Sequence, residues 1–75
     1  MSKRNQVLAA FGSNVRKARE AKDFTQEKLA EKADLDQTYI SGIERGVRNP
    51  SVISIVRIAK ALGTTVSEIS KGIEK

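Results

Sequence analysis

The sequence predicts an all-α fold, a compact bundle of five helices in one domain spanning residues 1–75. Three observations predict it. No stretch alternates strictly between apolar and polar residues as a half-buried strand does. Apolar residues recur instead at intervals of three and four, the spacing of one helical face. Between these runs lie repeated start and stop signals: Ser, Thr or Asp where helices open, Gly where they close, and a single Pro. A chain of this length buries only about 60% of its unfolded surface, so stability is modest and self-association adds to it.

Residues 1–5 read as a polar, frayed start. From about Gln6, the spacing of Val7, Leu8, Phe11, Val15 and Ala18 predicts the first helix. Gly12 inside it costs about 1 kcal/mol relative to Ala, and a start near Ser13 is the alternative. Lys22 and Asp23 mark the exit. A second helix opens at Thr25, whose hydroxyl can cap the free N–H groups of the first turn, with Phe24 and Leu29 as a hydrophobic staple. Leu29, Ala30 and Ala33 face inward, while Glu27, Lys28, Glu31 and Lys32 face water. The third helix repeats the device, with Leu35 and Ile40 as the staple and Asp36 as the cap. Ile40 and Ile43 point inward, and Gly46 ends the helix in the left-handed conformation. Gln37, Thr38, Tyr39, Ser41 and Gly42 are left on the outer face. Pro50 stops the loop Val47-Arg48-Asn49 from continuing as helix. A fourth helix starts near Ser51, and its stretch SVISIVRIAKAL is apolar at eight of twelve positions. Gly63 ends it, and Thr65-Val66-Ser67-Glu68 fits a capping box opening a last short helix with Ile69 and Ile73.

Several function classes drop out. The chain has no His and no Cys, which removes the commonest general base, nucleophile and zinc ligands, as well as any disulfide. The acids fall at solvent-facing helix positions or caps, and Asp34 and Asp36 read as a turn residue and an N-cap rather than a metal or acid–base pair. No enzyme activity, cofactor or metal is predicted. The N-terminus lacks a signal peptide's apolar core, and no apolar run reaches the ~20 residues of a membrane span, so the bacterial cytosol is the expected location.

The net charge of +5 and a pI near 9.9 favour an anionic partner. Its distribution is uneven: residues 1–22 carry six basic groups against one acid, residues 23–50 four against six, and residues 51–75 four against two. Lys3, Arg4, Arg16, Lys17 and Lys22 supply long-range attraction only. The slightly acidic unit at about residues 25–46 is two short helices joined by a tight turn, the second with a polar but barely charged outer face. That is the arrangement of a helix-turn-helix whose second helix enters a major groove of DNA. Gln37 can pair with adenine, Thr38 can bond a base or touch a thymine methyl, and Tyr39 can offer a ring edge or its hydroxyl. Ser41 lies further along the same side. Gln26 opens the first of the two helices, where its amide can meet a phosphate. The aliphatic surplus of the fourth helix, with that of the fifth, makes about residues 51–73 a dimer surface, unless the monomer core absorbs it.

The stretch TQEKLAEKADLDQTYISGIERG resembles the helix-turn-helix of the phage repressor/Cro type, the Xre family. Within it, LDQTYISGIERGVRNPS is similar to the controller proteins of restriction–modification systems. The resemblance runs from about Phe11 to Ile69 and implies a lambda repressor-like DNA-binding domain. It places Gln37, Thr38, Tyr39 and Ser41 on the base- and phosphate-contacting surface, with Arg48 reaching a base or a narrow minor groove. Gln26, Arg45 and Asn49 become phosphate contacts. Arg19 and Glu44 face each other beneath the reading helix as a partly buried salt bridge, which makes Glu44 structural. A homodimer on a pseudo-palindromic operator in double-stranded DNA is implied, with RNA polymerase as a further partner; the aliphatic surplus itself supplies the joining residues, Val52, Ile53, Val56, Val66, Ile69 and Ile73. The sequence departs from the family at three points. Asp34 stands where the turn often has Gly, Gln37 where controllers often have a basic residue, and Gly42 where some repressors place a base reader. The implied role is timing restriction-enzyme expression and regulating the protein's own promoter. A general phage or plasmid repressor and a protein-interaction adaptor that does not read DNA are the alternatives.

Overall fold

In the computed structural model, which describes residues 2–74, Ser2 opens the first helix by accepting the Asn5 N–H at 3.2 Å. Helix α1 accordingly spans Lys3–Ala21, so Lys3, Arg4 and Asn5 are helical where the sequence reading has a frayed start. The helix also runs unbroken through Gly12. Met1 and Lys75, the ends of the predicted domain, lie outside the described residues. The remaining helices are α2 (Gln26–Ala33), α3 (Gln37–Glu44), α4 (Val52–Ala61) and α5 (Val66–Ile69), and no strand occurs among the described residues.

Each helix starts on a side-chain oxygen. Thr25 accepts the Lys28 N–H at 3.0 Å, Asp36 the Thr38 N–H at 2.9 Å, Ser51 the Ser54 N–H at 3.1 Å and Thr65 the Glu68 N–H at 3.1 Å. Such a cap stabilises a helix by about 1 kcal/mol, a large share of what a short helix can muster. The turn between α2 and α3 passes through Asp34 in the left-handed region (φ 56°, ψ 47°), and the Leu35 N–H returns to the Ala30 carbonyl at 2.9 Å. Asp23 adopts the same conformation (φ 59°) after α1, a turn the sequence reading leaves unspecified.

The core takes residues from all five segments: Phe11 and Val15, Leu29, Ala30 and Ala33, Ile40 and Ile43, Ile58, Ala59 and Leu62, and Ile69. Burying each large aliphatic is worth roughly 1.5–3 kcal/mol over leaving it in water. Helix α3 packs on both α1 and α2, α2 also meets α4, and α5 bridges α1 and α4. Gly12 explains how α1 and α3 come so close. A Cβ there would sit 2.3 Å from the Ile43 carbonyl oxygen and 2.7 Å from that of Glu44, so the two backbones touch. The residue that weakens α1 as an isolated helix is the crossing point of the fold.

Ile69 corrects one expectation. It is 2% exposed and belongs to the monomer core, so it is not part of an outer association surface. Short as it is, α5 has one face, and Ile69 fills the space between α1 and α4. Ile73 is half-buried against the same core, and Val56 in α4 is half-buried. Val52, Ile53 and Val66 are open to solvent, at 76%, 66% and 40% exposure. Asn14 ties down the C-terminal end, its amide donating to the carbonyls of Ile69 at 3.0 Å and Lys71 at 2.9 Å.

Candidate nucleic-acid interface

Glu44 is the one charged residue of α3, and it points inward with its side chain 2% exposed. A lone buried carboxylate would cost several kcal/mol, so it needs partners. Arg19 supplies them from α1: its Nε lies 2.6 Å from Glu44 Oε2 and its second guanidinium nitrogen 3.0 Å from Oε1. The remaining nitrogen donates to the Phe24 carbonyl at 2.7 Å. The hydrogen bond to Glu44 raises the Arg19 pKa above the ordinary arginine value against an opposing desolvation. Gln26 adds a third link, Nε2 donating to Glu44 Oε1 at 3.0 Å. Three helices therefore meet at one carboxylate. Gln26 thus holds the end of α3, a part the sequence reading missed, because its partner is 18 residues away and no local signal joins them. Its half-buried amide is committed to Glu44, leaving its backbone N–H at the first turn of α2 for any anion.

With Glu44 turned in, the outer face of α3 is polar and uncharged. Gln37 and Thr38 are exposed in its first turn, and Ser41 is half-buried one turn on. Tyr39 is not with them, which corrects its placement on the outer face. Its ring packs against the core, and its hydroxyl accepts the Ser51 N–H at 3.2 Å, across the chain at the cap of α4. Desolvation acts to raise its pKa, but hydrogen bonding with Ser54 and Ser51 and the charge of Arg48 outweigh it and lower the pKa from 10.0. Tyr39 sits two residues beyond Gln37, about 200° around the helix, which turns it to the side where α4 begins.

Gly42 is also corrected. It is buried, because the loop after α3 folds back over it: its carbonyl accepts the N–H groups of Val47 at 3.0 Å and Arg48 at 3.2 Å. Gly46 makes that return possible. It adopts φ 76°, and a Cβ there would lie 2.9 Å from the Ala9 Cα of α1. Arg45, Arg48 and Asn49 are exposed on the loop, so a row of donors follows the polar face of α3. Arg4 joins them from α1, lining one open groove with Asn5, Leu8, Ala9, Arg45, Gly46 and Val47. No group of His, Cys, Asp and Glu side chains suited to a metal occurs among the described residues.

A helix-turn-helix family model matches residues 15–69, which hold α2, α3, the turn between them and the Arg19–Glu44 pair. The chain belongs to the helix-turn-helix family. Among its relatives is control protein C.MunI from a Mycoplasma species, 43% identical over 72 residues that cover 95% of this chain and 97% of the relative. The restriction-modification controller protein C.AhdI from Aeromonas hydrophila superposes with a TM-score of 0.82 at 42% identity, over 83% of this chain and 94% of that one. The controller protein C.Esp1396I, whose structure is of a tetramer in complex with its natural 35 base-pair operator, superposes with a TM-score of 0.75 at 44% identity, over 79% and 78% of the two chains. In this helix-turn-helix protein, α2 supports and α3 presents. No described helix is long and apolar enough to cross a membrane.

Proposed function

We propose that this protein is a sequence-specific transcriptional regulator, the controller of a restriction–modification system, that binds a pseudo-palindromic operator as a homodimer. The observation that carries the reading is α3 itself. It is short, pinned at its end by Arg19 and Gln26, and shows Gln37 and Thr38 outward with its only charge buried. Gln37 and Thr38 read base edges, with Ser41 beside them. Arg45 and Asn49 grip phosphates, as does the first turn of α2 at Gln26. Val52, Ile53 and Val66 form the dimer contact, with Val56 and Ile73 at its inner margin. Two such α3 helices enter successive major grooves about 34 Å apart. Similarity to C.MunI and C.AhdI over most of each chain supports the controller assignment over a general repressor, and the protein's own promoter and that of the restriction enzyme are the regulated sites of this reading. RNA polymerase is the further partner, the cytosol the location, and no catalysis is involved.

The test is titration of the purified protein with duplex DNA from upstream of its own gene and with a random duplex, at two salt concentrations. A reader binds its operator roughly 10³-fold or more above random DNA and loses affinity steeply with salt. The double variant Gln37→Ala, Thr38→Ala should lower that ratio by at least about tenfold, since each good base contact discriminates by ~1–3 kcal/mol. Equal, weak binding to both duplexes would leave only an adaptor role.

A further inference from the structure

Tyr39 leaves the outer face of α3, yet it is not simply a core residue. Its ring is fixed at one end by packing and at the other by the Ser51 N–H at 3.2 Å. Over that ring lies the Arg48 guanidinium, its central carbon 5.1 Å from the ring centroid and so within cation–π range. The stem of Arg48 rests on Gly42, where an added Cβ would come 2.3 Å from Arg48 Cγ, 3.3 Å from its Cβ and 3.4 Å from its Cδ. The backbone is held as well, since the Arg48 N–H donates to the Gly42 carbonyl at 3.2 Å. An arginine on an exposed loop would normally sample many rotamers. Here ring, bare glycine and backbone bond each remove some of that freedom. No carboxylate claims it, for Arg48 takes part in none of the ion pairs among the described residues. Its donors stay free for a partner.

We infer that Tyr39 is a positioning residue that presets Arg48 for DNA, with Gly42 as the seat of the arginine stem. The inference rests on the proposed DNA-reading function and adds what places Arg48. A side chain held in its bound position loses less freedom on binding, which makes each part of the device worth about tenfold in operator affinity. It also accounts for Gly42, which has no side chain to read a base: a larger residue there would lift Arg48 off the helix.

The test has two arms. The first uses the free protein, where Tyr39 is the only tyrosine and there is no Trp, so ultraviolet absorbance during alkaline titration follows Tyr39 alone. Arg48→Ala should raise the midpoint of that titration, because the guanidinium favours the phenolate. An unchanged midpoint would overturn the contact without reference to DNA. The second arm is a double-mutant cycle on the upstream duplex. Tyr39→Leu and Arg48→Ala should each weaken operator binding about tenfold, and the double variant should be little worse than either single one. Tyr39→Phe, which keeps the ring, should stay closer to wild type than Tyr39→Leu, and Gly42→Ala should match Arg48→Ala with both side chains present. Losses that multiply to about a hundredfold in the double variant would overturn the positioning role. Wild-type protein without operator preference would instead overturn the proposed function, while the absorbance arm still decides whether the contact exists.

Discussion

Helices α3 and α4 are built on the same plan and differ in what they turn outward. Each hides a pair of core residues completely or nearly so, Ile40 and Ile43 in α3 and Ile58 and Ala59 in α4. Outward, α3 offers Gln37 and Thr38, while α4 offers Val52 and Ile53. Polar uncharged groups rest comfortably in water and gain when matched donors and acceptors arrive in fixed positions. Exposed aliphatics gain only when water is excluded from them, whatever the partner's detailed pattern. One small bundle therefore carries a face suited to discrimination and a face suited to adhesion. The two are joined at Tyr39, which leaves α3 to meet the cap of α4.

The most severe way to break this contrast is to release the end of α3. Arg19→Ala leaves Glu44 buried with Gln26 as its remaining partner and should cost about 3 kcal/mol, or more than about 10 °C in melting temperature for a domain of this size. A fall under about 3 °C would mean the pair does not fix α3. Because the Arg19 pKa is raised above the ordinary arginine value by its bond to Glu44, its contribution is present throughout neutral pH and is lost only as pH climbs through the raised folded value. Gly12→Ala comes next. Helix propensity favours Ala by about 1 kcal/mol, but the new methyl meets backbone oxygens that cannot rotate away, so a net loss of roughly 1–3 kcal/mol should appear in urea unfolding. An Ala variant as stable as wild type would show that α1 and α3 can separate without harm.

The contrast was unequally legible in the sequence. Start and stop of α3 are local, since Asp36 and Gly46 carry their own instructions, and its inward residues follow from spacing alone. Which neighbour flanks it is not local, and so spacing alone turns Tyr39 and Gly42 outward where the structure packs Tyr39 on the core and buries Gly42 under the loop. In α4 the surplus of aliphatics is visible, but its division between core and surface depends on where α5 packs, and so the sequence alone leaves Ile69 facing outward. The predicted frayed start differs for another reason: Ser2 is an ordinary cap signal, set in a short polar, basic stretch that otherwise reads as a loose end. The Gln26–Glu44 bond and the Asn14 bonds join residues 18, 55 and 57 positions apart, separations at which one sequence gives no pairing information.

Two smaller effects sharpen the comparison. Val52→Lys with Ile53→Lys gives α4 a charged outer face and should change the stability of the dilute monomer by no more than about 0.5 kcal/mol, as surface substitutions do. Sedimentation should show a dimer for wild type and only the monomer for this variant. A variant that still dimerises would move the adhesive face elsewhere. Smallest is the effect of pH through Tyr39. Its lowered pKa means the folded state favours the phenolate, so its contribution is absent at neutral pH, grows as pH climbs through the folded value and is complete above about 10, the value for an unfolded tyrosine. The stability gap between wild type and Tyr39→Phe should therefore be flat near pH 7 and widen in favour of wild type towards pH 10. A gap that narrows over that range would reverse the sign assigned to the Ser51, Ser54 and Arg48 surroundings.

Asn14 has a reach that its position conceals. Helix α5 is four residues long, too short to persist on its own in water. At its last residue and just beyond, a single carboxamide from the longest helix binds the carbonyls of Ile69 and Lys71. The last segment thus borrows its order from the first, and Val66 at its opening inherits a fixed address from a side chain it never meets. Whatever a second copy of the chain finds at that end of the molecule is set by residue 14.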